Sequence, residues 1–314
     1  MQQWQAVIPG TQVIKNSGVI VFVIYQPLGI TESTFEMLKK LNAAGLSILC
    51  VVNGRVSEHD LKGLIQAAWK VILRENFGYD FGAYRAGVIY LEKISSKSTF
   101  DFDYVYFVND SIRFKEEKID ETILQMRRKN NGLIAYTLAN GHRKMKRHHV
   151  QSYFFLFKMN TSDLKDTFLE FWRNLATYND RYLTIKNCEV YMTDFFRRKN
   201  FEISSIYDSI TLRDIVLKSK LNIHPLKLSA EGKKGIGGIN LIGGDKGQLQ
   251  REVEHYVHNV IAAPAEIIYG ILDISVIKVS ANPAYKQQRN WLRRRKGRYF
   301  KKVLKELQSV DDAV

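Results

Sequence analysis

The chain has 314 residues, 45% of them hydrophobic and 12% aromatic, with a formal net charge of +15. That excludes a disordered protein and leaves room for one large domain or two smaller ones. Its two cysteines, Cys50 and Cys188, exclude a disulfide framework, so reduced thiols and a cytoplasmic compartment are expected.

Met1 to Gly10 has neither the charged nor the apolar region of a secretory signal. Val19 to Tyr25 is a continuous apolar run, suited to a strand buried on both faces. Thr31 is a plausible N-cap for a helix carrying Phe35, Leu38 and Leu41, which Gly45 ends. Ser47 to Val52 predicts the next strand, and Ser57 caps a helix carrying Leu61, Leu64, Ile65 and Ala68. Lys70 to Leu73 predicts a third strand, and Gly82 to Lys93 a third helix carrying Tyr84, Val88 and Leu91 on its apolar side. Tyr104 to Val108 then forms a strand that stops at Asn109-Asp110-Ser111. This β-α-β-α-β-α-β alternation predicts an α/β fold with a mostly parallel sheet flanked by helices.

Further on, helices are expected over 120–129, 167–177 and 188–199, and strands over 133–137, 150–159 and 202–207. Asn222 to Gly247 reads as a glycine-rich loop that matches neither phosphate-binding glycine pattern. A helix over 248–262 follows. Val260 to Val279 is apolar, but Glu266, Asp273 and Lys278 argue against a membrane span. Ten basic residues and no acid lie between Lys286 and Lys305, so most of the excess charge sits in one segment. It predicts an amphipathic helix, with Leu292, Phe300, Val303 and Leu307 on its apolar side, that meets an anionic membrane surface. A solvated charged helix fits the same residues. Nucleic-acid binding is not expected, because no such module accompanies the tail. The domains expected are 1–225, 226–284 and 285–314.

The polar residues cluster at strand ends, where an open α/β sheet holds its ligand. Tyr25, Asn53, Arg74, Asn76, Asp80, Asn109, Asp110 and Ser111 are therefore candidates for binding a nucleotide sugar. Asp110 could hold a divalent metal, Mg²⁺ or Mn²⁺, against a diphosphate. The same three residues, Asn109 to Ser111, would also serve as a turn closing the strand. Arg147, His148 and Gln151, in and beside a basic run, are candidates for acceptor or phosphate binding. Glu189 and Asp194 are candidates for a general base, and His149, just before an apolar strand, for facing the site. Glu189 and Asp194 would equally suit a helix N-terminus.

Three ordered patches resemble the rhamnan synthesis protein F family of bacterial polysaccharide glycosyltransferases. They are Arg74-Glu75-Asn76-Phe77-Gly78-Tyr79-Asp80, then Tyr104 to Ser111, then His149-Val150-Gln151-Ser152-Tyr153-Phe154. Val276-Ile277-Lys278 to Asn282-Pro283 is similar to the family's closing motif, so the resemblance covers roughly residues 18 to 285. It implies a GT-A-like, Rossmann-type nucleotide-binding fold with a helical C-terminal extension. It also implies transfer of a rhamnose-like deoxyhexose from a nucleotide diphosphate sugar to a lipid-linked glycan. The setting would be the inner face of the cell membrane, in O-antigen, capsule or rhamnan synthesis. Asn109, Asp110 and Ser111 would occupy the metal and diphosphate position. A non-catalytic, membrane-associated scaffold of the same machinery is the alternative, because only one carboxylate stands at the strand end.

Overall fold

A computed structural model of the chain describes residues 4–14, 18–95, 101–114, 118–130, 132–139, 148–208 and 275–278. Strand β1 (Ala6–Pro9) precedes three strand–helix units: β2 (Gly18–Ile24) with α1 (Glu32–Ala43), β3 (Ser47–Asn53) with α2 (Glu58–Ala67), and β4 (Lys70–Arg74) with α3 (Tyr79–Ile94). Strands β5 (Tyr104–Asn109) and β6 (Ile112–Phe114), helix α4 (Ile119–Arg127) and strands β7 (Gly132–Ala139), β8 (His149–Val150) and β9 (Phe154–Lys158) follow. Helices α5 (Ser162–Asn174), α6 (Arg181–Thr184) and α7 (Tyr191–Arg198) and strand β10 (Glu202–Asp208) come next, and β11 (Val276–Lys278) is the last described element. A π-helical turn, Ile185–Val190, joins α6 to α7.

The nine-stranded sheet runs β1-β4-β3-β2-β5-β9-β7-β10, with β8 paired to the end of β7. β2 has no polar side chain and is buried at every position. Such a run has no solvent face to offer, so it takes the middle of a sheet covered on both sides. Alternate residues feed two separate cores. Ile20, Phe22 and Ile24 pack with Met37, Leu38 and Leu41 of α1, Leu64 of α2, and Ile123 and Met126 of α4. Val19, Val21 and Val23 pack with Phe81, Tyr84 and Val88 of α3, Phe168 and Trp172 of α5, and Phe196 of α7. Each such large apolar side chain, fully buried, contributes about 1.5–3 kcal/mol. On the second face the Phe107 and Phe155 rings stack at 4.6 Å and 7°, and Trp172 stacks on Phe107 at 5.1 Å.

The sheet is mixed rather than mostly parallel. Pairings β4-β3, β3-β2, β2-β5 and β7-β10 are parallel, whereas β1, β8 and β9 pair antiparallel with their neighbours. β8 runs antiparallel to β7, with Leu138 opposite Val150, and β9 runs antiparallel to both β7 and β5. The apolar run after His148 is accordingly two strands broken at 151–153, not one.

Two helices begin earlier than expected. Thr161 caps α5 by accepting a bond from the Leu164 N–H, moving its start to Ser162. Helix α3 begins at Tyr79 behind a left-handed Gly78, so Asp80 lies inside the first turn. Ser57 caps α2 as expected. Thr31 stands at the N-cap of α1 without a side-chain cap bond; its N–H donates instead to the Gln26 side-chain oxygen. β11 pairs antiparallel with β6, and Ser275 hydrogen-bonds Thr122 and Tyr136 in the interior. Residues 115–275 therefore separate two strands that touch. The glycine-rich loop, the helix over 248–262 and the basic tail lie outside the described residues, as does most of the basic run before His148.

Candidate functional site

The chain passes from β2 through β3 to β4 in one direction and then returns, through α3, to the other side of β2 as β5. A reversal of this kind leaves a crevice beyond the carboxyl ends of β2 and β5. Asp110, the first residue after β5, sits in that crevice. It is buried, and its carboxylate accepts a 2.8 Å hydrogen bond from the Tyr25 backbone N–H at the end of β2. Asp110 N–H donates in turn to the Val23 carbonyl at 3.0 Å. The turn after β5 and the turn after β2 thus hold each other.

Burial raises the Asp110 carboxyl to about 7. The charge on Asp80 raises it further, while hydrogen bonds from Tyr25 and Gln26 pull it down. Asp80 is bound at 2.8 Å by the side-chain amide of Asn109, whose own oxygen accepts from Ser111 N–H at 3.2 Å and from the Ser111 hydroxyl. Asn109, Asp110 and Ser111 therefore do form a turn. That turn delivers one carboxylate and one amide into the crevice rather than merely ending a strand.

Arg74 ends β4. One guanidinium nitrogen donates to Asn53 Oδ1 and another to the Phe77 carbonyl at 2.7 Å, with the group buried and its Nε without a partner among the described residues. Burial lowers it to about 10. Asn53 donates to the Tyr79 carbonyl at 3.5 Å. These bonds fold residues 75–79 into a tight turn. Gly82 is required beneath it, since a Cβ there would stand 2.2 Å from the Phe77 oxygen. Asn76 is exposed on the turn.

The π-helical turn buries Glu189. Extra residues of this kind inside an α-helix recur at functional sites because they redirect side chains. The Glu189 carboxylate accepts the Ser152 N–H at 2.7 Å, and the Ser152 carbonyl accepts the Tyr84 hydroxyl at 2.8 Å. The β8–β9 turn is thereby clamped at Ser152 between α3 and the π turn. Tyr84 is held far above the usual phenol range, first by burial and then by the charges on Asp80, Asp110 and Glu189. These acids, predicted separately, thus act on one buried phenol. Sequence reasoning took Tyr84 as an apolar helix position; the signal was its place four residues after Asp80, on the same helix face.

Asp194 points elsewhere in the bonding pattern, pairing with Arg197 at 3.3 Å one turn on. His149 is buried in β8 with its Nε2 3.1 Å from the Gln151 side-chain nitrogen. His148 is exposed, and Arg147 lies outside the described residues.

A hollow of about 460 Å³ opens at the ends of β2 and β3, lined by Gln26, Ile30, Asn53, Arg55 and Asp60 among others. That is the size of a small-molecule site. Asp60 is buried and binds the Ile30 N–H at 3.2 Å. A larger hollow, about 600 Å³, lies between α1 and α2 near Lys39, His59 and Lys62, but none of the clustered acids lines it. Among the described residues no three His, Cys, Asp or Glu converge as a metal cage. Asp110 and Asp80 fit the looser mode in which one or two carboxylates share a Mg²⁺ with phosphate oxygens and water.

Residues 48–230, more than half of the chain, match the family model described as Rhamnan synthesis protein F. The match stops short of the expected closing motif at Val276. The uncharacterised protein y4gN of Sinorhizobium fredii (strain NBRC 101917 / NGR234) is 36% identical over 195 residues, 61% of this chain and 49% of its own length. Virulence protein VirA of Vibrio anguillarum is 29% identical over 192 residues, 60% of this chain and 57% of its own. The chain spans about half the length of these curated relatives. A crystal structure from Desulfovibrio desulfuricans G20, provisionally assigned as a nucleotide-diphospho-sugar transferase, aligns over 78% of this chain and 98% of its own. At a TM-score of 0.33 and 12% identity the two folds overlap only loosely.

Proposed function

The chain belongs to the rhamnan synthesis protein F family, and on that premise we propose that it is a nucleotide-sugar-dependent glycosyltransferase. The observation that carries the reading is Asp110. It is a carboxylate buried at the switch of the sheet, and burial and the charge on Asp80 both raise its pKa. Such a group is costly to ionise until a cation arrives. A divalent ion held by Asp110 and Asp80 would neutralise the charge that develops on a departing diphosphate.

The hollow lined by Gln26, Asn53 and Asp60 suits the nucleoside, where the Asp60 carboxylate can accept from ribose hydroxyls. Arg55, exposed at its rim, can meet phosphate. Glu189 acts as general base on an acceptor hydroxyl. A deoxyhexose of the rhamnose type as the transferred sugar, a lipid-linked glycan as acceptor and an inverting course complete the reading.

Calorimetric titration with UDP, dTDP and GDP, with and without Mn²⁺, tests it. One of the three should bind, and more tightly with the metal. No binding to any of them in either condition would sink the transferase reading and favour the scaffold. The basic segment after residue 285 is the proposed contact with anionic lipid, at about 1 kcal/mol per basic residue near the surface. In liposome flotation the full chain should rise with phosphatidylserine vesicles, and a version truncated before Lys286 should stay behind. Equal flotation of both removes the tail's role.

A further inference from the structure

We propose that Phe77 and Tyr79 form a stacking platform for a pyranose ring of the acceptor glycan, an inference that rests on the glycosyltransferase reading. Both side chains are exposed, Phe77 at 49% and Tyr79 at 42%, on the turn between β4 and α3. Single exposed apolar residues are ordinary. Here the backbone is built around them. Arg74 grips the carbonyl of Phe77 and Asn53 that of Tyr79, so two buried polar side chains hold alternate peptides of one turn. Gly78 and Tyr79 both take the left-handed conformation, with φ of 78° and 50°. A connecting turn would place Gly, Asn or Asp at the second of these positions. A tyrosine there is a strained choice that adds nothing to either core.

The turn is tied to the segment that carries the proposed base. Gly78 N–H donates at 2.7 Å to Asn179, in the segment that leads through α6 to the π turn and Glu189. Tyr182, at the start of α6, is also exposed, at 55%. The other side of Asn53 lines the hollow assigned to the nucleoside. A half-exposed ring fits a sugar better than a base. A pyranose lays its C–H face on the aromatic surface and keeps its hydroxyl rim in water, and tyrosine offers both an apolar face and a polar tip. On this assignment Arg74 and Asn53 are positioning residues for the platform rather than direct ligands of the nucleotide.

Saturation-transfer difference NMR with the methyl glycosides of L-rhamnose, D-glucose and D-galactose tests the platform. The full chain should pass saturation to the ring C–H protons of at least one glycoside. Phe77→Ala and Tyr79→Ala should each cut that signal at least fivefold. Tyr79→Gly keeps a left-handed backbone without the ring, so it should lose the signal with no fall in melting temperature. Affinity for the nucleoside diphosphate, titrated in parallel, should stay within twofold in all three variants. The platform is wrong if the wild-type chain gives no signal with any glycoside, or if the three variants keep it. Failure of nucleotide binding in the wild-type chain would instead strike the glycosyltransferase reading, and the two outcomes are read independently.

Discussion

Asp110→Asn is expected to abolish sugar transfer while making the protein more stable above neutral pH. The folded carboxyl titrates near 7 and the unfolded one near 3.8. Between those values the folded state holds a proton that the unfolded state has released. Its stabilising contribution is fully present below about pH 4 and is lost as pH rises through 7. A displacement of about three pKa units corresponds to on the order of 4 kcal/mol at full ionisation. Asparagine cannot ionise, and its Oδ1 can keep accepting the Tyr25 N–H. Urea unfolding at pH 5 and pH 8 should therefore show wild-type stability falling between the two, with the variant nearly flat. The activity half rests on the proposed role: without the carboxylate no cation is held against the diphosphate, and turnover should drop roughly 10²–10³-fold. A variant with the wild-type pH slope would show that Asp110 is not the titrating group. One with wild-type turnover would remove it from the site.

The parts of this fold that could be read in advance are those whose physics is local. β2, β3 and β5 are continuous apolar runs, and any such run must be buried on both faces. Their polar ends are visible for the same reason: Asn53 and Asn109, like Arg74 at the end of β4, mark where each apolar run stops. β1 was not legible, because four residues ending in Pro9 carry no periodicity, and only pairing along β4 makes them a strand. The β6–β11 ladder was hidden by sequence separation. The start of α3 was missed because its N-cap is a left-handed glycine, which has no side chain to signal a cap. The mixed sense of the sheet comes from the antiparallel pairings of β1, β8 and β9, which depend on residues such as Leu138 and Val150 meeting in space.

The candidate site was legible as residues at strand and helix ends and not as an arrangement. Asp80, Asn109 and Asp110 were each named from their positions at strand and helix ends. That the Asn109 amide binds Asp80 rather than a ligand is a tertiary fact. Arg74 and Asn53 were named for ligand binding, and the structure gives both of them backbone to hold. Tyr84 was hidden by its own ring, which satisfies the apolar helix pattern while its hydroxyl serves the polar cluster.

Glu189→Gln is the second change with a large expected effect, and it separates chemistry from architecture. Glu189 is buried in the π turn and binds the Ser152 N–H. A neutral amide oxygen can accept the same bond, so the clamp from Tyr84 through Ser152 survives, and melting should stay close to wild type. What the amide cannot do is take a proton from an acceptor hydroxyl. Loss of a general base slows transfer by roughly 10²–10⁴-fold. The release of nucleoside diphosphate from the donor identified by titration should fall by that factor, with donor affinity unchanged. Because the site would still assemble and bind, the loss should appear in kcat and not in KM. Turnover within fivefold of wild type would make Glu189 a structural anchor of the β8–β9 turn. The base would then be sought among the other acids of the cluster.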